Sequence, residues 1–298
     1  MLSLFQRKRV PPTAGTPPTS AIETPKGSMR PESAASLLAT PRRQKLLEHI
    51  WQRTSLSRRQ FATLYRTPLE HYAELVQQFP ASESHHHAYP GGMLDHGLEI
   101  VAYALKLRQS YLLPAGVTPE AQAAQAEAWT AGTAYAALLH DIGKMAVPDP
   151  ILNKPGKLTD QEFGLVRRHP QNGARMLLDC RQVSALVVDV CLHHHERIDG
   201  TGYPFGLAQE QISLLARMGA VCDVYDAITS DRPYKKGWNA AEAIRRMAEW
   251  NGHFDPQVFR AFVKAVGIYP VGALVRLESG RLGVVLEQHG RSLLTPRV

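Results

Sequence analysis

The stretch Ala136-Ala-Leu-Leu-His-Asp-Ile-Gly-Lys144 is the part of the sequence that decides the fold. Its apolar run predicts the end of a buried helix, and the run leads directly into a histidine and an aspartate. An aspartate at the end of a buried helix needs a partner or a metal ion, because an isolated buried charge is costly. Lys144 follows His140 by about one turn, so its side chain can lean over the same point.

Other histidines and carboxylates lie in or beside predicted helices on both sides of this stretch: His96, His169, His193, His194, His195 and Asp223. Singly, each is also explained by a packed core histidine, a solvated helix end or a polar helix face. In combination with His140 and Asp141 they favour a metal site, since imidazole and carboxylate suit iron, manganese or zinc. Two ions about 3.5–4 Å apart would clamp a phosphoryl group, with Asp141 bridging them. Lys144 would stabilise developing charge or protonate the leaving oxygen.

Helical patterns continue outward from this stretch and predict an all-α fold, a helical bundle. Leu94, Leu98 and Val101 recur on one face of a predicted helix over 93–109. The run Thr159-Asp-Gln-Glu162 has the pattern of a capping box at the start of another helix. Further helices are predicted near Leu46–Trp51 and Phe61–Tyr65, from Pro119 to about His140, and over 183–195, 211–229, 239–250 and 256–266.

The two ends of the chain differ from this helical body. Residues 1–40 are rich in Pro, Ser and Thr and show no helical or strand period, so we expect a disordered tail. Residues 269–298 predict a short β-hairpin. The formal charge of the chain is +7, and residues 1–43 hold seven basic against two acidic side chains. Most of the charge therefore belongs to residues 1–43 and is weak evidence for a DNA-binding surface on the body.

Composition also indicates the compartment. Three cysteines are too few, and odd in number, for a disulfide framework, which favours a reducing, cytoplasmic setting. No window approaches the roughly 18 apolar residues of a membrane helix. We therefore expect no membrane partner, and the sequence gives no indication of the oligomeric state.

Several motifs in the second half of the chain resemble one family. They are His140-Asp-Ile-Gly-Lys144, Pro148-Asp-Pro-Ile-Leu-Asn-Lys-Pro-Gly-Lys-Leu-Thr159, His169-Pro170, His194-His-Glu-Arg-Ile-Asp-Gly-Thr-Gly-Tyr-Pro204 and Asp223-Val-Tyr-Asp-Ala-Ile-Thr-Ser-Asp-Arg-Pro-Tyr234. The first resembles the signature of the HD superfamily of metal-dependent phosphohydrolases. The whole set resembles the HD-GYP subfamily, which hydrolyses the bacterial second messenger cyclic di-GMP, and Gly202-Tyr203-Pro204 is its namesake.

The resemblance implies a site, residue by residue. Implied metal ligands are His96, His140, Asp141, His169, His194, His195 and Asp223, and implied substrate contacts are Tyr203, Asp226, Arg232 and Lys235. Asp141 and Lys144 are the implied catalytic residues. The implied cofactor is a pair of divalent ions, iron or manganese, with zinc, magnesium or nickel as alternatives. Some members hold a third ion with a Glu at the position of Gly92. Glycine offers no such ligand, so we expect two ions here. A third ion would need His85 or His87 in place of that Glu.

The first half of the chain resembles a different family, the N-terminal HD domain of MobH-type conjugative relaxases, over about 46–144. The residues that carry this resemblance are Tyr72-Ala-Glu-Leu-Val76, His85-His-His-Ala-Tyr-Pro-Gly-Gly92, Asp95-His96, Leu107-Arg-Gln109, Leu112-Leu-Pro114 and Ala136–Lys144. The two resemblances meet at His140–Lys144, which indicates a mosaic. We therefore divide the chain into a tail (1–40), an N-terminal helical segment (41–92), a metal-dependent phosphohydrolase domain (93–268) and a β-hairpin appendage (269–298).

Three functional hypotheses follow from these resemblances. The leading one is a phosphodiesterase that hydrolyses cyclic di-GMP to linear pGpG, to GMP or to both by a metal-bridging hydroxide. The second is a relaxase or HD nuclease domain that acts on DNA phosphodiesters in conjugative transfer. The third is a catalytically impaired nucleotide-binding module, which would result if His96 does not assemble with the ligands of the second half.

Overall fold

The structure is a computed structural model. It describes residues 31–54, 56–81, 89–111, 132–154, 156–180, 183–230, 236–289 and 292–298, and between 109 and 111 it describes the backbone alone. Four expectations lie outside these residues: the state of the tail up to residue 30, the histidines at 85–87, the predicted helix from Pro119 up to residue 131, and the contacts of Arg232 and Lys235.

In the described residues before the central helix, the structure has four helices and a π-helical turn. They are α1 (Ala34–Leu37), α2 (Pro41–Trp51), α3 (Arg58–Phe61), the π-helical turn (Ala62–Arg66) and α4 (Thr67–Val76). The first of them corrects the expectation of a disordered tail up to residue 40. The Ser33 hydroxyl accepts a hydrogen bond from the backbone of Ser36 (3.3 Å) and caps α1. Leu37 and Leu38 are buried, so their apolar surface orders this end of the tail.

Helix α5 (Gly92–Tyr111) is the centre of the bundle. It confirms the helix predicted over 93–109 and packs against α2, α4 and two later helices. Met93, Leu94, Leu98, Leu105 and Leu107 are fully buried on it. Because α5 is buried on several sides, a polar residue such as His96 can reach the interior only where other polar groups meet it.

The remaining helices largely follow the prediction. They are α6 (132–139), a 3₁₀ turn (Ile142–Ala146), α7 (Asp149–Leu152), α8 (Asp160–Val166), α9 (His169–Asp179), α10 (Ala185–His193), a 3₁₀ turn (Gln209–Gln211), α11 (Leu214–Thr229), α12 (Ala240–Glu249) and α13 (Pro256–Val266). The predicted capping box of α8 is present, with Thr159 and Glu162 bonded in both directions (3.2 and 2.7 Å). Asn239 and Asp255 cap α12 and α13 as predicted.

A small cluster of Val147, Leu152 and Val166 packs α7 and α8, and one large hydrophobic core joins most of the other described helices. It extends from Leu37 in α1 to Val266 in α13 and includes the buried faces of α4, α5, α10 and α11. The helices that precede α5 and those that follow it therefore contribute to the same interior. The fold is mostly helical, as predicted, and none of the described helices is both long and apolar enough to span a bilayer.

The C-terminal appendage contains the predicted hairpin and a second strand pair. Strand β1 (Leu274–Arg276) pairs antiparallel with β2 (Leu282–Val284), with Leu274 opposite Val284. Strand β3 (Glu287–His289) then pairs with β4 (Ser292–Arg297), also antiparallel. The sequence did not indicate the second pair, because β3 is short and polar and β4 contains a proline.

Candidate metal centre

The polar residues predicted as ligands lie at helix ends or within α5 and α11. His96 is on α5, His140 and Asp141 follow α6, and His169 begins α9; His194 and His195 follow α10, and Asp223 lies in α11. All except His195 are buried, and His195 is half-buried. Five elements that are far apart in sequence therefore point these side chains into one region of the bundle.

The residues form two ligand groups that share Asp141. The first ligand group is His96, His140, Asp141 and Asp223; the second ligand group is Asp141, His169, His194 and His195. Within each group, one ligand atom per residue lies within 4.8 Å of all the others. All seven predicted ligands thus fall into these two groups.

Each oxygen of Asp141 faces one group. Its Oδ2 atom lies 3.5 Å from Nε2 of His96 and 3.6 Å from Nε2 of His140. Its Oδ1 atom lies 3.2 Å from Nε2 of His169 and 3.6 Å from Nε2 of His194. Each oxygen of this carboxylate could therefore serve as a ligand atom in a different group.

Backbone carbonyls fix the orientation of three imidazoles. The Nδ1 atoms bond to the carbonyl oxygens one turn earlier: His140 to Ala137 (2.7 Å), His169 to Val166 (2.8 Å) and His194 to Cys191 (2.9 Å). A carbonyl only accepts, so each Nδ1 carries the proton and each Nε2 presents a lone pair. The Nε2 atoms of His169 and His194 lie 3.3 Å apart, and a cation between them would relieve the repulsion of these lone pairs.

His96 is oriented by a carboxylate instead. Its Nδ1 atom lies 2.7 Å from Oδ2 of Asp226, and both side chains are fully buried. Burial disfavours the charged imidazole, but hydrogen bonds with Asp223 and Asp226 outweigh it and raise the pKa of His96 to about 10. The first ligand group therefore attracts positive charge strongly.

The second ligand group has a different electrostatic character. Burial lowers the pKa of His194 to about 4 and that of His195 well below its ordinary value. Both rings are therefore neutral at pH 7, which is the form that binds a metal. Burial opposes ionisation of Asp141, but Lys144 and His140 outweigh it and hold the pKa of this carboxyl well below its usual range.

The set of ligand atoms and an unsatisfied oxygen of Asp141 both suit metal ions. Among the described residues, no donor hydrogen bonds to the buried Oδ1 atom of Asp141. A buried carboxylate oxygen without a donor is costly unless a cation compensates it. Imidazole nitrogens with carboxylate oxygens are a donor set for iron, manganese or zinc. These buried groups are able to hold metal.

Lys144 is placed by the 3₁₀ turn that follows Asp141. Its Nζ atom donates to Oδ2 of Asp141 (2.6 Å) and to the carbonyl oxygen of Ala81 (2.7 Å). Its side chain is almost entirely buried. Ala81 follows α4, so the first half of the chain helps to position a lysine of the second half.

A close backbone contact fixes the distance between the 3₁₀ turn and α9. A Cβ atom added at Gly143 would lie 1.9 Å from the carbonyl oxygen of His169 and 2.4 Å from the backbone nitrogen of Gly173. A Cβ atom at Gly173 would lie 2.6 Å from Sγ of Cys191. Only glycine allows this approach, and it brings Asp141 to the start of α9.

Tyr203 lies beside the second ligand group. Its ring stacks on that of His195, with centroids 4.7 Å apart. The guanidinium carbon of Arg167 lies 4.6 Å from the centroid of the Tyr203 ring. The side chain of Arg167 is exposed. The sequence had indicated Tyr203 but not Arg167, which immediately follows α8 and carries no motif.

The loop that carries Tyr203 is organised by Glu196. This buried carboxylate accepts hydrogen bonds from the backbone of Phe205 (2.7 Å) and Leu207 (3.0 Å). A Cβ atom at Gly202 would lie 2.5 Å from Cα of Glu196, so the loop needs glycine there. The role of Glu196 was not foreseen, although an acidic residue beside the ligand His195 was a visible signal.

Two residues lie elsewhere than the sequence suggested. Asp226 was expected to contact substrate, but its carboxylate is fully buried behind His96. It corresponds to a carboxylate that orients a ligand histidine. His193 belongs to neither ligand group; its Nδ1 atom lies 2.9 Å from Oδ1 of Asp189. Consecutive residues of a helix point in directions about 100° apart, so His193 lies on a different face from His194.

Two protein families match the chain. A family described as HD domain matches residues 109–258. A family described as putative helicase matches residues 27–158. The two matches overlap over 109–158, a range that contains His140–Lys144 and is ten times longer than this motif.

Individual proteins are also similar to the chain. A cyclic di-GMP phosphodiesterase from Pseudomonas aeruginosa is 73% identical over 241 residues, which cover 76% of this chain and 55% of that protein. A cyclic di-GMP phosphodiesterase response regulator from Xanthomonas campestris is 46% identical over 134 residues, covering 43% and 35%. The chain thus spans about half the length, or less, of these curated relatives. A solved HDG"Y"P protein from Bdellovibrio bacteriovorus is 24% identical with a TM-score of 0.45, covering 56% of this chain and 50% of that one.

Proposed function

The chain belongs to the HD domain family, and from this premise we propose that it is a metal-dependent phosphodiesterase whose substrate is cyclic di-GMP. The observation that carries the proposal is the pair of ligand groups joined by the two oxygens of Asp141. The names of the relatives from Pseudomonas and Xanthomonas support the choice of substrate.

Two divalent ions are the proposed cofactors, one for each ligand group. Iron or manganese suits the mixture of five imidazoles and two carboxylates; magnesium suits it less, because magnesium prefers oxygen ligands. Zinc and nickel remain alternatives that metal analysis distinguishes. When bound, such ions supply Lewis-acid activation of the phosphodiester and of the attacking water.

The protein's own groups would position and balance the charges of the reaction. Asp141 stays ionised and offers one oxygen to each ligand group. Lys144, held by Ala81 and Asp141, would stabilise charge that develops on the phosphoryl oxygens or give a proton to the leaving oxygen. Tyr203 and Arg167 form an exposed edge where a nucleotide base and a phosphate would bind.

The reaction would proceed by addition of water to one phosphodiester of the ring. One P–O bond forms with the water oxygen, the bond to the 3′ oxygen breaks, and that oxygen takes a proton, which gives linear pGpG. A second hydrolysis of the same kind gives two molecules of GMP. We expect Arg232 and Lys235 to contact the phosphates, and this expectation stays a prediction.

The test is a turnover assay with the metal-loaded chain and cyclic di-GMP, followed by chromatography of the nucleotides. We expect pGpG, GMP or both from the wild type, and a loss of at least about a thousandfold in Asp141→Ala. The matched control is Asp179→Ala, since Asp179 is exposed at the end of α9 and outside both ligand groups. Equal turnover in the wild type and Asp141→Ala would contradict the proposal.

One observation favours a second candidate, the match of residues 27–158 to the family described as putative helicase. Under this alternative the centre would act on DNA phosphodiesters in conjugative transfer. Single-stranded DNA in the same assay distinguishes the two: cleaved DNA together with intact cyclic di-GMP would favour it. The junction at His140–Lys144, the division at residues 92 and 268 and the cytoplasmic location stay predictions.

A further inference from the structure

A cleft of about 670 Å³ lies along α5, and its wall includes Glu99, about one turn after His96. It is bounded by α2, α5, α11 and the segment before α12, and none of the seven candidate metal ligands lines it. Lys106 lines the cleft ten residues after His96 on the same helix, a distance of about 15 Å along its axis. Small-molecule sites have volumes of this order, about 300–1,000 Å³.

The side chains around the cleft carry uncompensated positive charge. Lys45 and Lys106 line it, and within the described residues neither forms an ion pair with a carboxylate. Glu99 is the carboxyl group in the wall. Burial and the neighbouring Asp226 raise the pKa of Glu99 to about 9, so it is neutral at pH 7. Arg42 also lines the cleft and bonds to Glu99.

A bound anion would stabilise the ammonium group of Lys106. Burial and the nearby guanidinium of Arg53 lower the pKa of Lys106. A largely buried ammonium group next to a second cation is costly without a negative partner. A bound phosphate would supply that partner.

His49 offers a hydrogen-bond donor to the same ligand. Nη1 of Arg53 donates to Nδ1 of His49 (2.8 Å), and a guanidinium can only donate, so the proton of the neutral ring is on Nε2. This Nε2 atom is buried and has no hydrogen-bond partner among the described residues. A buried donor without an acceptor is rare and costly, and an anionic oxygen in the cleft is the acceptor that suits it.

An aromatic side chain completes the wall. Trp238 is half-buried, lines the cleft and has the guanidinium of Arg246 about 5.1 Å from its ring centroid. Planar nucleotide bases stack on such rings. The combination of phosphate-binding groups with an aromatic ring is typical of a nucleotide site.

We propose that this cleft is a second ligand site, which binds a nucleoside monophosphate. Lys45, Lys106 and Nε2 of His49 contact its phosphate, and its base packs against Trp238. The site is separate from the candidate metal centre and does not depend on hydrolysis there.

The test is calorimetric titration of the full chain with GMP, AMP and inorganic phosphate, each with the metal-loaded protein and again after addition of a chelator. We expect a nucleotide to bind in both states, because the cleft uses no metal. Inorganic phosphate should bind at least about tenfold more weakly, since it lacks the base. Persistence after chelation distinguishes this site from the metal centre, whose proposed activity the chelator abolishes.

Variants locate the binding. Lys106→Met keeps the apolar stem and removes the charge, and together with Lys45→Gln it should weaken nucleotide binding at least about tenfold. The matched control is Lys264→Gln, an exposed lysine on α13 outside the cleft. Trp238→Ala should weaken binding of the nucleotide but not of inorganic phosphate. Circular dichroism melting verifies that each variant is folded.

Four outcomes would overturn the proposal. They are absence of nucleotide binding at millimolar concentration, loss of all binding on chelation, unchanged affinity in the lysine variants, and equal affinity for nucleotide and inorganic phosphate. The last outcome would replace the nucleotide with a simple phosphate as the ligand.

Discussion

The two ligand groups share Asp141 but differ in charge and in what holds their imidazoles. The first contains a second carboxylate, Asp223, and its His96 is backed by the buried carboxylate of Asp226. The second contains three imidazoles and no carboxylate other than Asp141. Its His169 and His194 are held by backbone carbonyl groups.

We expect this difference in charge to give the two ligand groups unequal affinities for a cation. Carboxylates raise the pKa of His96 to about 10, whereas burial lowers the pKa of His194 to about 4. The first group therefore attracts a cation by charge, and the second offers neutral donors that depend on Asp141 for charge. We expect the first group to bind its ion more tightly and to fill first.

Removing the shared residue should have the largest effect. Asp141→Ala takes a ligand from both groups and leaves the ammonium of Lys144 without its carboxylate. We expect the bound metal to fall from about two equivalents to nearly none, because each group also loses its bridge. Elemental analysis after gel filtration measures the bound metal, with Asp179→Ala as the control. Two retained equivalents would contradict the shared role.

Single-histidine variants should affect the two ligand groups separately. His96→Ala removes a ligand from the first group alone, and His169→Ala from the second alone. We expect His169→Ala to keep about one equivalent of metal, held in the more negative first group. We expect His96→Ala to lose more, since a weaker first group also weakens the second. The reverse order in elemental analysis would show that the charge argument is wrong.

A smaller effect is expected behind His96. Asp226→Asn keeps the shape of the side chain but removes its charge, and loss of such an outer partner typically costs about 10–100-fold in metal affinity. Competition with a chelator of known affinity should show a higher dissociation constant for the more tightly bound ion and little change for the more weakly bound one. Asp189→Asn is the matched control, because Asp189 contacts His193, which is not a ligand. An equal shift in both variants would refute the special role of Asp226.

The smallest effect on activity is expected at Glu99, which also stands behind the first group. Its pKa is about 9 when folded against an ordinary 4.5, so between these pH values the native state holds one more proton than the unfolded state. The free energy of unfolding therefore falls as pH rises through this window, by at most about 1.4 kcal/mol per pH unit. Glu99→Gln should flatten this dependence and leave turnover within a few-fold. Urea unfolding from pH 5 to 9 measures this dependence, and an unchanged slope in Glu99→Gln would contradict the raised pKa of Glu99.

Much of the centre was predictable because its signals are local. His140-Asp141 after an apolar run, the capping box of α8 and the apolar face of α5 are patterns within a few residues. The ligands themselves were named from motifs, and the structure brings all seven together. Helical periodicity also gave most of the helices to within a few residues.

The groups that hold the ligands were not predictable, because they come from distant parts of the chain. Asp226 bonds to His96 across 130 residues, and Ala81 bonds to Lys144 across 63 residues through a carbonyl that has no side-chain signal. Periodicity gives the face of a helix but not the neighbour that meets it. Glu99 shows the same limit, since only burial beside Asp226 gives it its unusual pKa.

The contact between Gly143 and α9 has a consequence for how this centre can evolve. Ligands can be exchanged one at a time, and each exchange changes the affinity of one group in a graded way. The spacing of the 3₁₀ turn from α9 has no such intermediate steps, because the first carbon atom added at Gly143 meets main chain that no rotamer can move. Exchange of single ligands is therefore open to substitution, whereas the spacing between the 3₁₀ turn and α9 is closed to it.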